Sequence, residues 1–202
     1  MTALVRSQLY RMVTIRSSWL SIVLFAVLAA SFGILEPYWW ALFVGIGTFG
    51  ISVLTVAQHY QHRTAALLYL AQPKRLPVLL ALVLTTVGVT LIFAAVTGIP
   101  VYFEDDLSQK MYERTLLVVP IMAVFGAATA AIVRRSSWIF YGFGVWFVLI
   151  EGLAGQMRWP LPISSYLDAA RGVGFGRLFF LGWAVVALAG AALALFRDLT
   201  SD

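Results

Sequence analysis

The chain has 202 residues, of which 61% are apolar and only 11% are charged, and its formal net charge is +5. About a quarter of the residues of a soluble domain are charged, so this composition predicts an integral membrane protein rather than a soluble enzyme. The chain contains no cysteine, which excludes disulfides, thiolate metal sites and cysteine nucleophiles.

Residues 1–17 predict an amphipathic helix. One side of the helical wheel carries Val5, Leu9, Met12, Val13 and Ile15, and the other carries Arg6, Ser7, Tyr10, Arg11 and Thr14. Such a helix would lie in the inner membrane interface, anchored by Arg6, Arg11, Arg16 and Trp19. The alternative is an ordinary basic flank of the first span. Because apolar character continues to Leu35, we expect an uncleaved first span rather than a signal peptide.

Six apolar stretches follow, and each approaches the roughly 20 residues that a helix needs to cross a bilayer. They are Ser18–Leu35, Trp39–Ala57, Val78–Thr97, Leu116–Val133, Trp138–Leu153 and Leu178–Phe196. Since lipid leaves backbone groups no external partner, these spans are expected to be helices. The predicted fold is all-α: an interfacial helix over residues 1–17 and a single six-span membrane domain over residues 18–202.

The distribution of charge predicts the orientation. With the N-terminus inside, nine Lys and Arg residues lie in inner segments and five in outer ones, whereas acids number two inside and seven outside. The positive-inside rule then places both termini in the cytoplasm. The basic charge is explained by this topology, so no nucleic acid partner is expected.

The loop of residues 58–77 is the longest predicted inner segment between spans. It is polar and basic at its ends and apolar at its centre, as in a short helix that lies against a membrane or a docked partner. His59 and His62 could face one metal ion, but zinc needs more ligands and no acid or cysteine is near, so no metal site is predicted. Both histidines also lie outside the spans, which argues against a Ser–His hydrolase.

Glu151 falls in the predicted outer half of the fifth span and has two open interpretations. A carboxylate buried in a membrane is costly and often functional, for example in taking up a proton or steering a cargo. Alternatively, Glu151 caps the end of a short helix, with Gly152 and Gly155 letting the chain turn back. Residues 152–177 predict short helices that re-enter the outer interface. The acidic run at residues 104–106 predicts a solvated outer loop, with attraction of cations as the alternative.

Three segments resemble ABC-2-type transporter permeases of actinobacteria. The opening Leu4–Trp19 is similar to their basic first helix and to their T-x-R-S-x-W entry into the first span. The loop keeps Thr64, Leu67, Leu68, Pro73 and Arg75 of the family pattern, although glutamine stands at positions 58 and 61, where the family often has an acid. The third segment is Glu151-Gly152-Leu153, followed by a proline-rich stretch and Tyr166-Leu167.

The resemblance implies the permease subunit of an ABC exporter, paired with a second copy or a homologous permease. The loop of residues 58–77 would be the coupling helix that sits in a groove of an ATP-binding subunit, and the exporter would contain two copies of that subunit. Its contact residues would be His59, His62, Arg63, Thr64, Leu67, Leu68, Tyr69, Pro73 and Arg75. The chain has no G-x-x-x-x-G-K-[ST] phosphate loop, so ATP and Mg²⁺ would belong to that separate subunit and this chain would hold no cofactor or catalytic residue.

The resemblance also places a cargo pathway where the second and fifth spans of two protomers meet. Its lining would be Phe49, Tyr141, Phe143, Trp146, Phe147 and Glu151, and the glycines at 45, 47, 50, 142 and 144 would allow close helix approach. An aromatic, nearly uncharged wall favours an apolar or amphipathic cargo such as a lipid, a drug-like compound or a hydrophobic peptide. The alternative function is a membrane immunity, regulatory or sensor subunit that does not transport.

Overall fold

The computed structural model of the protein describes residues 16–61 and 75–197, with side chains over 19–58 and 80–194. Its helices are α1 (Arg16–Gly33), α2 (Pro37–Gln61), α3 (Arg75–Thr97), α4 (Ile99–Tyr102), α5 (Asp106–Val133), α6 (Ser136–Val145), a π-helix that continues α6 (Trp146–Ala154), α7 (Pro162–Arg171) and α8 (Gly176–Arg197). Every regular element in these ranges is helical, which confirms the predicted all-α class.

Five helices in the described ranges are long and apolar enough to cross a membrane: α2, α3, α5, α6 with its π-helix, and α8. The described apolar part of α1, Trp19–Gly33, is shorter, so the predicted count of six stays a prediction. The predicted interfacial helix lies outside the described residues except for its last two positions. The predicted loop is narrower than residues 58–77, because α2 continues to Gln61 and α3 begins at Arg75.

Helices α2 and α5 form the centre of the bundle. Helix α2 packs against α1, α3 and α5, while α5 also packs against α7 and α8. A Cβ on Gly47 would lie 2.8 Å from the ring of Phe93, and one on Gly50 would lie 3.0 Å from the ring of Phe25. The close approach predicted for the glycines of the second span is therefore confirmed.

Helix α6 lies at the edge of the bundle, with most of its surface exposed. The positions that a Cβ would take on Gly142 and Gly144 face open space within this chain. The close approach predicted for these two glycines is therefore not made inside one copy.

The spans alternate in direction, so one end of the bundle collects the C-termini of α1, α3 and the π-helix with the N-termini of α2, α5 and α8. We call this the Pro37 end, and in the predicted topology it is the outer one. Trp40 is fully buried there, with its ring 5.6 Å from that of Tyr112 and its indole N–H 3.4 Å from Thr97 Oγ1.

Helix α5 begins ten residues before the predicted span at Leu116. Asp105 caps it by accepting a 2.6 Å hydrogen bond from the backbone N–H of Ser108, and Asp106 lies in the first turn, where its charge suits the helix dipole. Part of the acidic run predicted as a solvated loop thus starts a helix, although residues 104–106 are exposed as predicted.

Candidate functional site

The carboxylate of Glu151 is completely buried and accepts four hydrogen bonds. Its Oε1 accepts from the indole Nε1 of Trp146 at 3.0 Å and from the backbone N–H of Ile163 at 3.2 Å. Its Oε2 accepts from the backbone N–H and the hydroxyl of Ser164, at 2.7 Å and 2.6 Å. A buried charge needs such partners, because a carboxylate without them would lose its hydration uncompensated.

These contacts cap the first turn of α7. The first N–H groups of a helix have no partner within it. Leu161, at the cap position, offers no side-chain oxygen, and Pro162 has no N–H. Glu151 takes the next two N–H groups, and the regular helical pattern begins with Ser165 N–H on Leu161 O at 2.8 Å. These contacts agree with the interpretation of Glu151 as a helix cap in all but one respect. Glu151 caps the start of α7 rather than the end of the helix that carries it.

The π-helix brings Trp146 and Glu151 together. In an α-helix, residues five apart point about 140° away from each other around the axis. A π-helix closes its hydrogen bonds between residues five apart and so stacks them one turn above another. The indole of Trp146 can therefore reach the carboxylate from the same helical segment.

A tight reversal connects the π-helix to α7. Gln156 and Met157 both have left-handed backbone conformations, with φ of 47° and 56°, which are rare for residues with a side chain. The N–H of Met157 donates to Glu151 O at 2.8 Å, and the carbonyl of Pro160 accepts from the indole of Trp183 at 2.9 Å. The strained turn is thus held by hydrogen bonds at both ends.

Helix α7 is inserted beside α2 rather than lying on the surface. Tyr166 is fully buried, donates its hydroxyl to Ala41 O at 3.0 Å and covers Gly45, where a Cβ would lie 2.5 Å from its ring. Gly45 is eight residues past the start of α2, which corresponds to about 12 Å along the axis. The return segment predicted between the last two spans therefore reaches about two turns into the bundle.

The C-terminus of α7 is held by a third helix. Gly172 adopts φ of 75° and ends α7, and its lack of a side chain leaves room for the guanidinium of Arg114 from α5. Arg114 Nη1 donates to Arg171 O at 2.5 Å, which satisfies a terminal carbonyl of α7. Helix α7 is therefore attached to the π-helix, α2 and α5.

The residues predicted to line a cargo pathway separate into two groups. The rings of Phe49 and Phe143 stack with centroids 3.8 Å apart, and Phe147 also packs against the core. By contrast, Tyr141 is 75% exposed on the free face of α6. Trp146 and Glu151 bond to each other, as described. The structure therefore brings five of these six side chains into packing or hydrogen bonding within the chain.

Most of the other predicted site residues lie outside the described residues. They are Arg6, Arg11, His62, Arg63, Thr64, Leu67, Leu68, Tyr69 and Pro73. His59 lies near the end of α2, Arg75 and Arg16 begin α3 and α1, and Trp19 is 44% exposed on α1. The described residues contain no group of three or more His, Cys, Asp or Glu side chains placed to hold a metal ion.

Sequence reasoning missed Ser164 and Arg114, which bind the two ends of α7. One signal was present: Pro162 marks the first turn of a helix, yet the residue before it is Leu161, which cannot cap. The helix that starts at Pro162 has no cap of its own, and it begins eleven residues after Glu151, an acid in an apolar span. This spacing favours a cap supplied by another part of the chain.

Comparison of the chain with family models, with curated proteins and with solved structures gives no match.

Proposed function

We propose that this protein is the membrane-embedded permease subunit of an ABC exporter. The observation that carries the proposal concerns α7, which follows the fifth span and precedes the last span in the chain. This short helix is buried within the bundle at its Pro37 end. The resembling permeases have a proline-rich outer segment at this place in the chain. The order of the three resembling segments and the five apolar helices support the same assignment.

In the proposed mechanism the chain supplies the pathway and a separate subunit supplies the energy. Two ATP-binding subunits, carrying ATP and Mg²⁺, close on each other and pull on the cytoplasmic loop of residues 58–77. That movement reorients six spans in each of two permease copies, whose termini are all cytoplasmic in the cell membrane. An apolar or amphipathic cargo then leaves along the aromatic side of the second and fifth spans.

Helix α7 has a defined part in this mechanism. It blocks the Pro37 end of its own bundle, since its apolar side is buried against α2 and α5. Glu151 and Trp146 connect it to the fifth span, so a shift of that span is passed to α7 through the buried cap. In this role Glu151 positions a closing element and does not itself bind cargo.

The experiment is to search the adjacent reading frames for an ATPase with the phosphate loop, to express the protein with it and to purify the complex. Replacement of Leu67 and Leu68 by Asp should release the ATPase or uncouple ATP hydrolysis from export, because it puts charge into the apolar centre of the loop. The matched control is the double variant Phe103→Asp and Leu107→Asp, which adds the same two charges at residues that are 78% and 76% exposed at the Pro37 end.

Wild-type complex and transport in the Leu67/Leu68 variant would refute the assignment of the loop. Absence of any co-purifying ATPase from the wild-type preparation would favour the non-transporting sensor or immunity subunit.

A further inference from the structure

A cavity of about 380 Å³ opens at the Pro37 end, beside the C-terminus of α7. Helices α5, α7 and α8 enclose it, together with the turn that joins α7 to α8. Its lining includes two arginines, Arg114 and Arg177, and the glycines at 172 and 174. This cavity lies outside the contacts of Glu151 and has no part in the function proposed above.

The charge in the cavity is not neutralised by the protein. Asp168, which lies against Gly176 at the start of α8, is bound to Arg171 at 2.6 Å. Arg171 in turn lies over the ring of Tyr38, 5.5 Å from its centroid. Within the described residues neither Arg114 nor Arg177 forms an ion pair. Two cations therefore face the cavity without a carboxylate of their own.

Donor groups remain available there. A guanidinium has five N–H donors, and the described bond from Arg114 to Arg171 O uses only its Nη1. The cavity also adjoins the first turn of α8, a helix of 22 residues, whose positive dipole end adds to the two arginines. This combination of planar donors and a helix start suits the oxygens of a phosphate group.

The rim of the cavity has the opposite character. Val173, Phe175 and Leu178 are 53%, 73% and 65% exposed, and all three line the opening. These side chains lie where a span begins, at the level at which lipid headgroups meet acyl chains. Two arginines beside exposed apolar side chains match a molecule that carries both a phosphate and a hydrocarbon chain.

We propose that this cavity binds the phosphate of a membrane phospholipid, held between Arg114 and Arg177 beside the start of α8. A soluble phosphate compound would present the same chemistry to the arginines but would leave the apolar rim without a partner. The two sources can therefore be separated by whether acyl chains are needed.

The test is native mass spectrometry of the full chain, purified in detergent and titrated with phosphatidylglycerol. Diacylglycerol, with the same chains and no phosphate, and inorganic phosphate, with no chains, are the two comparison ligands. The variant is Arg177→Gln, whose side chain makes no hydrogen bond or ion pair in the described residues. The matched control is Arg158→Gln, an exposed arginine at the same end that does not line the cavity.

Phosphatidylglycerol should bind the wild type and Arg158→Gln equally, and Arg177→Gln about fivefold more weakly, the effect of one basic residue at an anionic surface. Arg114→Gln should weaken binding further, with retention of helical circular dichroism as the check of folding. Diacylglycerol should bind poorly. Displacement of the lipid by millimolar inorganic phosphate would identify a soluble phosphate as the ligand instead. Equal binding by wild type and Arg177→Gln, or equal losses in Arg177→Gln and Arg158→Gln, would overturn the proposal.

Discussion

Replacement of Glu151 by Gln is expected to destabilise the protein strongly, although the change keeps the size and shape of the side chain. All four hydrogen bonds of Glu151 are accepted by its oxygens. A Gln side chain keeps one oxygen and replaces the other with an NH₂ group, which can only donate. In the better orientation the oxygen faces the N–H groups of Trp146 and Ile163, and the NH₂ group faces Ser164. The Ser164 hydroxyl can turn to accept from that NH₂ group, whereas the backbone N–H of Ser164 loses its acceptor.

The magnitude follows from the bond that is lost. One hydrogen bond to a charged acceptor disappears, that of the Ser164 N–H, so the loss in the free energy of unfolding is about 1.5–3 kcal/mol. From the sequence alone, a simple helix cap would have led us to expect a cost of roughly 1 kcal/mol or less. The difference arises because the structure surrounds Glu151 with donors on both oxygens.

The assay is unfolding of the purified protein by SDS titration, monitored by circular dichroism. The matched control is Glu113→Gln, the same substitution at an exposed residue of α5 at the same end, expected within about 0.5 kcal/mol of wild type. A double-mutant cycle with Trp146→Phe adds a second check, because removing the indole N–H should cost less when position 151 is Gln. Loss of less than 1 kcal/mol in Glu151→Gln, equal to the control, would show that the four contacts do not hold α7.

Three further predictions concern packing, pH and topology. Gly45→Ala should lower the free energy of unfolding by about 1–3 kcal/mol in the same SDS assay, because the added Cβ would meet the buried ring of Tyr166. Gly142→Ala, at a position that faces open space, should leave the stability unchanged or raise it. Equal effects of the two substitutions would contradict the packing of α7. The hydrogen bond from the backbone N–H of Ser108 lowers the pKa of Asp105 below 3.8, so the stabilisation by the Asp105 cap is present above about pH 4 and is lost as the pH falls through the folded-state pKa. Hydrogen exchange of the first turn of α5, at exchange times corrected for pH, should therefore accelerate between pH 5 and 3 in the wild type but not in Asp105→Asn. The same pH dependence in both proteins would refute the cap. In the cysteine-free chain, a Cys at Ser7 should resist a membrane-impermeant thiol reagent in intact cells and a Cys at Leu107 should react, and the reverse pattern would invert the predicted topology.

The apolar helices could be predicted because their signal is local. Runs of about twenty apolar residues locate α2, α3, α5 and α8 to within a few residues at most ends. The start of α5 was misplaced because residues 106–115 are too polar to resemble a span, although Asp105 and Asp106 begin a helix well. Hydropathy indicates where the chain enters the membrane, whereas capping decides where the helix begins. The start of the predicted span and the start of α5 therefore differ by ten residues.

The candidate site could be located but not assembled from the sequence. A carboxylate in an apolar span identified Glu151, and the return segment after it was expected. Its partners could not be deduced, because they depend on a π-helix and on a reversal at Gln156 and Met157 that no composition rule indicates. The contact of Tyr166 with Ala41 joins residues 125 positions apart, and a single sequence contains no signal for such a pair.

The attachment of α7 to three other helices has a consequence for the order in which the chain is assembled during synthesis. Ten residues are too few to cross the bilayer, so α7 cannot be inserted as a span of its own. Its partners Ala41, Arg114 and Glu151 all precede it along the chain, and Trp183, which holds the turn before it, follows it. The groove over Gly45 therefore stays open until α7 has emerged from the ribosome, and the turn before α7 is held only once Trp183 follows. Closure of the Pro37 end then comes after the insertion of α2 and α5, and a chain released before Tyr166 would retain an exposed groove that quality-control proteases can recognise.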